Sequence, residues 1–151
     1  MLRVLRLRGL FLRSEQIQLV KQSFSWVARQ ADEFGRLFYD RLFDLDPGLR
    51  PLFKVSIEIQ SKKLMEMLTV VVNNLDHLDT ILPAIRSLGV QHAGYGVTEK
   101  HYESVASALL WALERELGPR FTAPVREAWI AAYGLIAETM KAASREPSAS
   151  C

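Results

Sequence analysis

Cysteine is all but missing from this 151-residue chain: the single instance is Cys151, the last residue, so neither a disulfide framework nor a cysteine metal cluster is available. That usage fits a reducing compartment, and a cytoplasmic location is expected. Glycine and proline are scarce, at 8 and 6 residues, which removes the collagenous and low-complexity classes. Long apolar runs are lacking too. A run such as Leu68 to Val72, interrupted by Thr69, falls far short of the roughly 18 to 20 residues that span a bilayer. Nor is there a surplus of one charge. The formal net charge is +2, and because Arg3, Arg6, Arg8 and Arg13 all fall in the first thirteen residues, the rest of the chain carries −2. A basic nucleic-acid-binding body is excluded.

What is present describes an ordinary globular protein. Hydrophobic residues make up 49% and charged residues 24%, and a chain of this length forms one domain that buries about 70% of the surface its unfolded form exposes. The opening MLRVLRLRGLFLR interleaves arginine with leucine and has no acidic residue before Glu15. Residues 1–13 are read as a disordered basic extension, with contact to a membrane surface as the alternative use of such an arm. The domain proper is taken as 14–144, and 145–151 as a tail.

From Ser14 on, apolar residues recur every three or four positions, so the fold class is all-α; only Val4 to Leu7 alternates like a strand. A first helix is expected over about 14–29 with Ser14 as its cap, and a second over about 32–43. The pair Asp46-Pro47 restarts a short third helix through Leu52, the aspartate capping and the proline filling the first helical position. A long helix runs to about Leu75, where Asn73-Asn74 ends it with asparagine as a tolerable left-handed residue. Pro83 opens another, to about His92, before the break at Gly94 and Gly96. Two long helices close the domain, about 99–117 and 122–143.

Taken singly, the polar residues with chemical potential have plain readings. His92 complements a negative helix terminus, Tyr39 is a core tyrosine, Gln60 is exposed, and Phe53 is a loop anchor. Taken together, in this order and spacing, they resemble a globin. The stretches that carry the resemblance are LFYDRLF at 37–43, DPGLRPLF at 46–53, QSKKL at 60–64, LPAIRSLGVQH at 82–92, HY at 101–102 and AWIAAYG at 128–134, so it spans about residues 14–143. The chain is most similar to bacterial single-domain globins, the globin domain of flavohaemoglobins, and neuroglobin.

The resemblance implies a globin fold with helices three over three around one haem b. It makes His92 the proximal iron ligand and Phe53 the phenylalanine that wedges the haem. Tyr39 and Gln60 become the distal residues that stabilise a bound ligand, with Leu64 one turn further on. Tyr102 falls on the proximal side, and Lys63 where a basic residue meets a haem propionate. Chemistry agrees with these roles. A neutral imidazole is a good iron ligand in an apolar shell, and a phenol and an amide can both donate to a polarised dioxygen in a low-dielectric pocket. An amide ligates iron poorly compared with imidazole, so Gln60 argues against a six-coordinate resting state. His77 and His101 are read as surface residues.

There are departures as well. Where flavohaemoglobins place a glutamate beside the proximal histidine and tyrosine, this sequence has Ser144, which removes the expected source of imidazolate character. Gln91 stands where the lysine before the proximal histidine is usual. No G-x-G-x-x-G fingerprint and no strand-rich half is present, so no reductase domain is expected within it. Motifs for hydrolysis and phosphoryl transfer are missing too. The expected ligands are oxygen, nitric oxide or carbon monoxide, and three uses compete: oxygen binding, transport or scavenging; nitric oxide dioxygenase activity with a separate reductase; and a gas sensor or interaction module.

Overall fold

The computed structural model describes residues 4–7 and 10–146. Among them the chain forms six α-helices and one two-stranded hairpin. The helices are α1 (Ser14–Val27), α2 (Ala31–Leu45), α3 (Ile57–Asn73), α4 (Leu78–Gly94), α5 (Glu99–Leu117) and α6 (Ala123–Arg145). Short 3-10 turns join several of them, the longest being Pro47–Leu52 between α2 and α3. Each helix turns its apolar stripe inward, and α4 packs on α6, α2 on both α5 and α3, and α1 on α6. The shared core holds Val20, Phe34, Leu42, Leu75, Ile85 and Leu113, all essentially excluded from solvent. Trp129 is buried with its indole N–H donating to Ser23 Oγ at 2.8 Å, so its one polar atom is satisfied. The other two tryptophans are half-buried and stacked by arginines. Arg29 and Arg120 lie over Trp26, and Arg41 and Arg115 over Trp111.

Several boundaries differ from the sequence expectation for local reasons. Arg13, not Ser14, flanks α1, because the Gln16 side-chain oxygen accepts the Arg13 N–H at 2.9 Å. α4 starts at Leu78 and carries Pro83 in its second turn. Buried Leu78 rewards the earlier start, and the proline leaves only the carbonyl of exposed Asp79 to water. Asn74 closes α3 without a left-handed turn, at φ −111°, while its side-chain amide donates to the Val70 carbonyl. The Asp46 carboxylate does not cap the Pro47–Leu52 turn; it accepts a hydrogen bond from Ser104 on α5 instead.

The opening segment also departs from expectation. Val4–Leu7 (β1) pairs antiparallel with Leu10–Arg13 (β2), with Leu5 opposite Leu12. β2 rests on α6, and Leu12 is fully buried. A disordered extension would leave that leucine in water, and its burial against the domain favours the paired form. The expected tail beyond Glu146 lies outside the described residues. No helix among the described residues is long and apolar enough to cross a membrane.

Candidate functional site

The site is built where two pairs of helices cross at glycines. On α2, Gly35 lies against Ser61 of α3 so closely that a Cβ there would sit 2.6 Å from the Ser61 Cβ. Only glycine allows that approach. One turn further along α2, Tyr39 is therefore brought beside Gln60, which precedes Ser61. Tyr39 is buried, and burial pushes its hydroxyl up to about 12, with the neighbouring Gln60 amide pulling the other way. The phenol stays protonated at neutral pH and keeps its O–H as a donor.

Phe53 joins this group from the end of the Pro47–Leu52 turn. Its ring stands edge-on to Tyr39 at 5.5 Å and to Phe43 at 5.4 Å, closing an aromatic triangle. Phe38, one residue before Tyr39, packs edge-on against it at 4.9 Å and faces the neighbouring cavity.

The second crossing lies between α4 and α6. A Cβ on Gly89 would fall within 2.6 Å of the Met140 Cα, so the two backbones touch. Three residues on, His92 points into the same cavity. Its Nδ1 lies 2.7 Å from the Leu88 carbonyl oxygen. A carbonyl only accepts, so Nδ1 carries the proton and Nε2 is left with its lone pair. Ser144 spends its hydroxyl on the Lys141 carbonyl in its own helix. Tyr102 on α5 lines the cavity as well, and its backbone carbonyl accepts the Tyr133 hydroxyl at 2.7 Å. Burial raises both of these tyrosines, Tyr133 the further. Lys141 stands over the Tyr102 ring at 5.8 Å and pairs with Glu138 at 2.7 Å.

Between the two crossings runs an internal cavity walled by Phe38, Leu64, Leu68, Val105 and Ile136, with His92 as its one basic group. Of the residues singled out in the sequence, Leu64, His92 and Tyr102 line it directly. Tyr39, Phe53 and Gln60 form the adjoining group. Lys63 is apart from both, exposed on α3. His77 is on the surface as expected, but His101 is not: its side chain is 19% exposed and faces Asp46. Sequence reading missed Phe38 and the Leu88 carbonyl, and it missed the two crossing glycines. Gly35 and Gly89 carried a signal all the same, since glycine weakens a helix interior and needs a packing reason.

These residues suit haem. Among the described residues no group of three or more His, Cys, Asp or Glu could cage a bare metal ion. A lone imidazole with a free Nε2 in an apolar slot instead fits a metal already held by a flat apolar macrocycle.

The comparisons with known proteins converge. The Globin family model matches residues 36–140. Neuroglobin from Danio rerio is 29% identical over 136 residues, covering 81% of this chain and 86% of the relative. An engineered carbene transferase from Rhodothermus marinus, named for nitric oxide dioxygenase, superposes with a TM-score of 0.80 at 28% identity, covering 88% of this chain and 93% of that one. A bacterial globin from Campylobacter jejuni superposes at 0.76 with 27% identity, covering 87% and 95%.

Proposed function

The chain belongs to the globin family and has its all-α fold, and on that premise we propose that it holds one haem b and works by reversible oxygen binding. When bound, the haem supplies a ferrous iron that takes dioxygen and other diatomic gases. The chain's own residues do the rest. His92 offers Nε2 as the proximal ligand, its orientation fixed by the Nδ1–H donated to Leu88. Phe53 would wedge the macrocycle, and Leu64 and Phe38, which line the cavity, would exclude water. Tyr102 completes the proximal wall. Lys63, exposed on α3, would hold a haem propionate.

The observation that carries the reading is His92 in an apolar cavity with its Nδ1 held by the Leu88 carbonyl, and beside that cavity the buried Tyr39 next to Gln60. A phenol and an amide held together in an apolar surround present two preorganised donors, Tyr39 Oη–H and Gln60 Nε2–H, to a ligand that gains negative charge. Gas escape should be slow. Tyr39→Phe should speed oxygen dissociation at least about tenfold, since a hydrogen bond to a charged acceptor contributes roughly 1.5 to 3 kcal/mol. Stopped-flow displacement of oxygen by carbon monoxide measures it, and an unchanged rate removes Tyr39 from the ligand's surroundings.

The likeness to the Rhodothermus protein supports a second reading, nitric oxide dioxygenase. There nitric oxide, dioxygen and one electron give nitrate, and a separate reductase supplies the electron. Nitrate formed over many cycles with an added reductase would favour it, whereas one stoichiometric burst would leave the oxygen-binding reading. A cytoplasmic site of action fits both.

A further inference from the structure

The strongest feature outside the cavity is a polar clasp on the seam between the Pro47–Leu52 turn and the start of α5. Asp46 is the hinge of that seam, and its N–H, its carbonyl and its Oδ2 are all engaged. Its N–H donates to the Leu42 carbonyl at 2.9 Å and so closes α2. Its own carbonyl accepts the Leu49 N–H at 3.0 Å and so starts the turn. The turn then finishes with the Phe53 N–H donating to Arg50, which sets the direction in which the Phe53 ring leaves the chain. The Asp46 side chain reaches across to α5, where Oδ2 accepts the Ser104 hydroxyl at 3.3 Å and faces His101 Nε2 at 3.9 Å.

His101 is held ready for that contact by its own helix. Thr98 donates its backbone N–H to His101 Nδ1 at 3.0 Å, so Nδ1 is the acceptor and Nε2 carries the proton that points at Asp46. Apolar contact runs beside the clasp, since a Cβ on Gly96, at φ +91°, would meet the Leu52 side chain at 3.6 Å. The seam therefore joins the element that delivers Phe53 to the one that delivers Tyr102, the residue after His101.

We propose that His101 and Ser104 are positioning residues that anchor Asp46, fix the turn carrying Phe53, and thereby keep the haem from leaving between that turn and α5. The proposal rests on the haem reading above. The histidine has two separable jobs, the cap on α5 and the clasp on Asp46, and substitution can divide them. His101→Glu retains a cap acceptor for the Thr98 N–H and sets a favourable charge at a helix start, yet it puts a carboxylate against Asp46. His101→Gln keeps an acceptor for Thr98 and a donor for Asp46.

The test uses the full chain loaded with haem and an excess of a haem-scavenging apoprotein. His101→Glu should lose haem about tenfold faster or more, as two like charges at such a separation would cause; His101→Gln should lose it near the wild-type rate, and Asp46→Asn in the His101→Glu background should recover most of the difference. Equal loss from His101→Glu and wild type overturns the clasp. Hydrogen exchange of residues 46–53 in the haem-free chain gives a second readout: faster exchange in His101→Glu than in His101→Gln supports the clasp, and equal exchange overturns it. A wild-type chain that takes up no haem would sink the haem reading and with it the retention role, while the exchange comparison would still decide whether the clasp exists.

Discussion

The two helix crossings that build the site are alike in using a glycine and different in what the glycine touches. Gly35 presses on a side chain, the Ser61 Cβ and Oγ, with the Ser61 Cα further off at 3.4 Å. Gly89 presses on backbone, Met140 Cα and carbonyl. A serine side chain can turn or be trimmed, but a helix backbone cannot move without its helix. The α4–α6 contact is the rigid one, and it carries His92; the α2–α3 contact has some give, and it carries the Tyr39–Gln60 pair. On the proposed reading, the iron ligand would thus be placed more stiffly than the residues that would meet the incoming gas.

Substitution should expose that difference. Gly89→Ala should have the largest effect, a loss of about 3 kcal/mol or more in denaturant unfolding because α4 must be pushed from α6, together with an altered ferrous absorption spectrum. Wild-type stability in that variant would mean the crossing is looser than its backbone contact implies. Gly35→Ala should cost about 1 to 2 kcal/mol and speed oxygen dissociation by separating Tyr39 from Gln60. Ser61→Gly in the same chain should return part of both losses, and failure of that rescue would separate the crossing from the distal pair. The smallest effect is a null one. Because burial holds the Tyr39 hydroxyl up to about 12, the phenol keeps its proton at every pH from 6 to 9. Oxygen dissociation should then be flat over that range. A rise through pH 8 or 9 would show a phenol that ionises as if exposed.

Much of this fold was legible in the sequence because helix period and core burial are local signals. The α5 expectation matched at both ends, since Glu99 opens it and Gly118-Pro119 closes it. Pro83 misled because a proline within the first turns reads as a helix start, while buried Leu78 and the preceding 3-10 turn at Leu75–His77 set the true one. The hairpin at the start escaped because arginine–leucine alternation over four residues is too short to compete with disorder until a partner strand and the α6 surface are supplied.

The site was legible only as a set. Nothing about Tyr39 or Gln60 alone says that they touch; their meeting depends on Gly35 and Ser61, residues from two helices whose crossing no periodicity reveals. His101 shows the converse. A histidine at a helix start reads as surface, and its contact with Asp46 is a tertiary fact between residues far apart in sequence. Asp46 itself was read as a cap because aspartate before proline usually is one, but Ser104 claims the carboxylate.

On the proposed reading, His92 ligates iron on one side of the cavity while the Tyr39–Gln60 side is left open for a gas. The absorption spectrum of the purified protein, reduced with dithionite and then exposed to carbon monoxide, tests it most directly. The expected result is a five-coordinate ferrous spectrum that converts fully to a carbonyl form, and loss of that ferrous species in His92→Ala. A six-coordinate ferrous spectrum, or one that His92→Ala leaves unchanged, would contradict it.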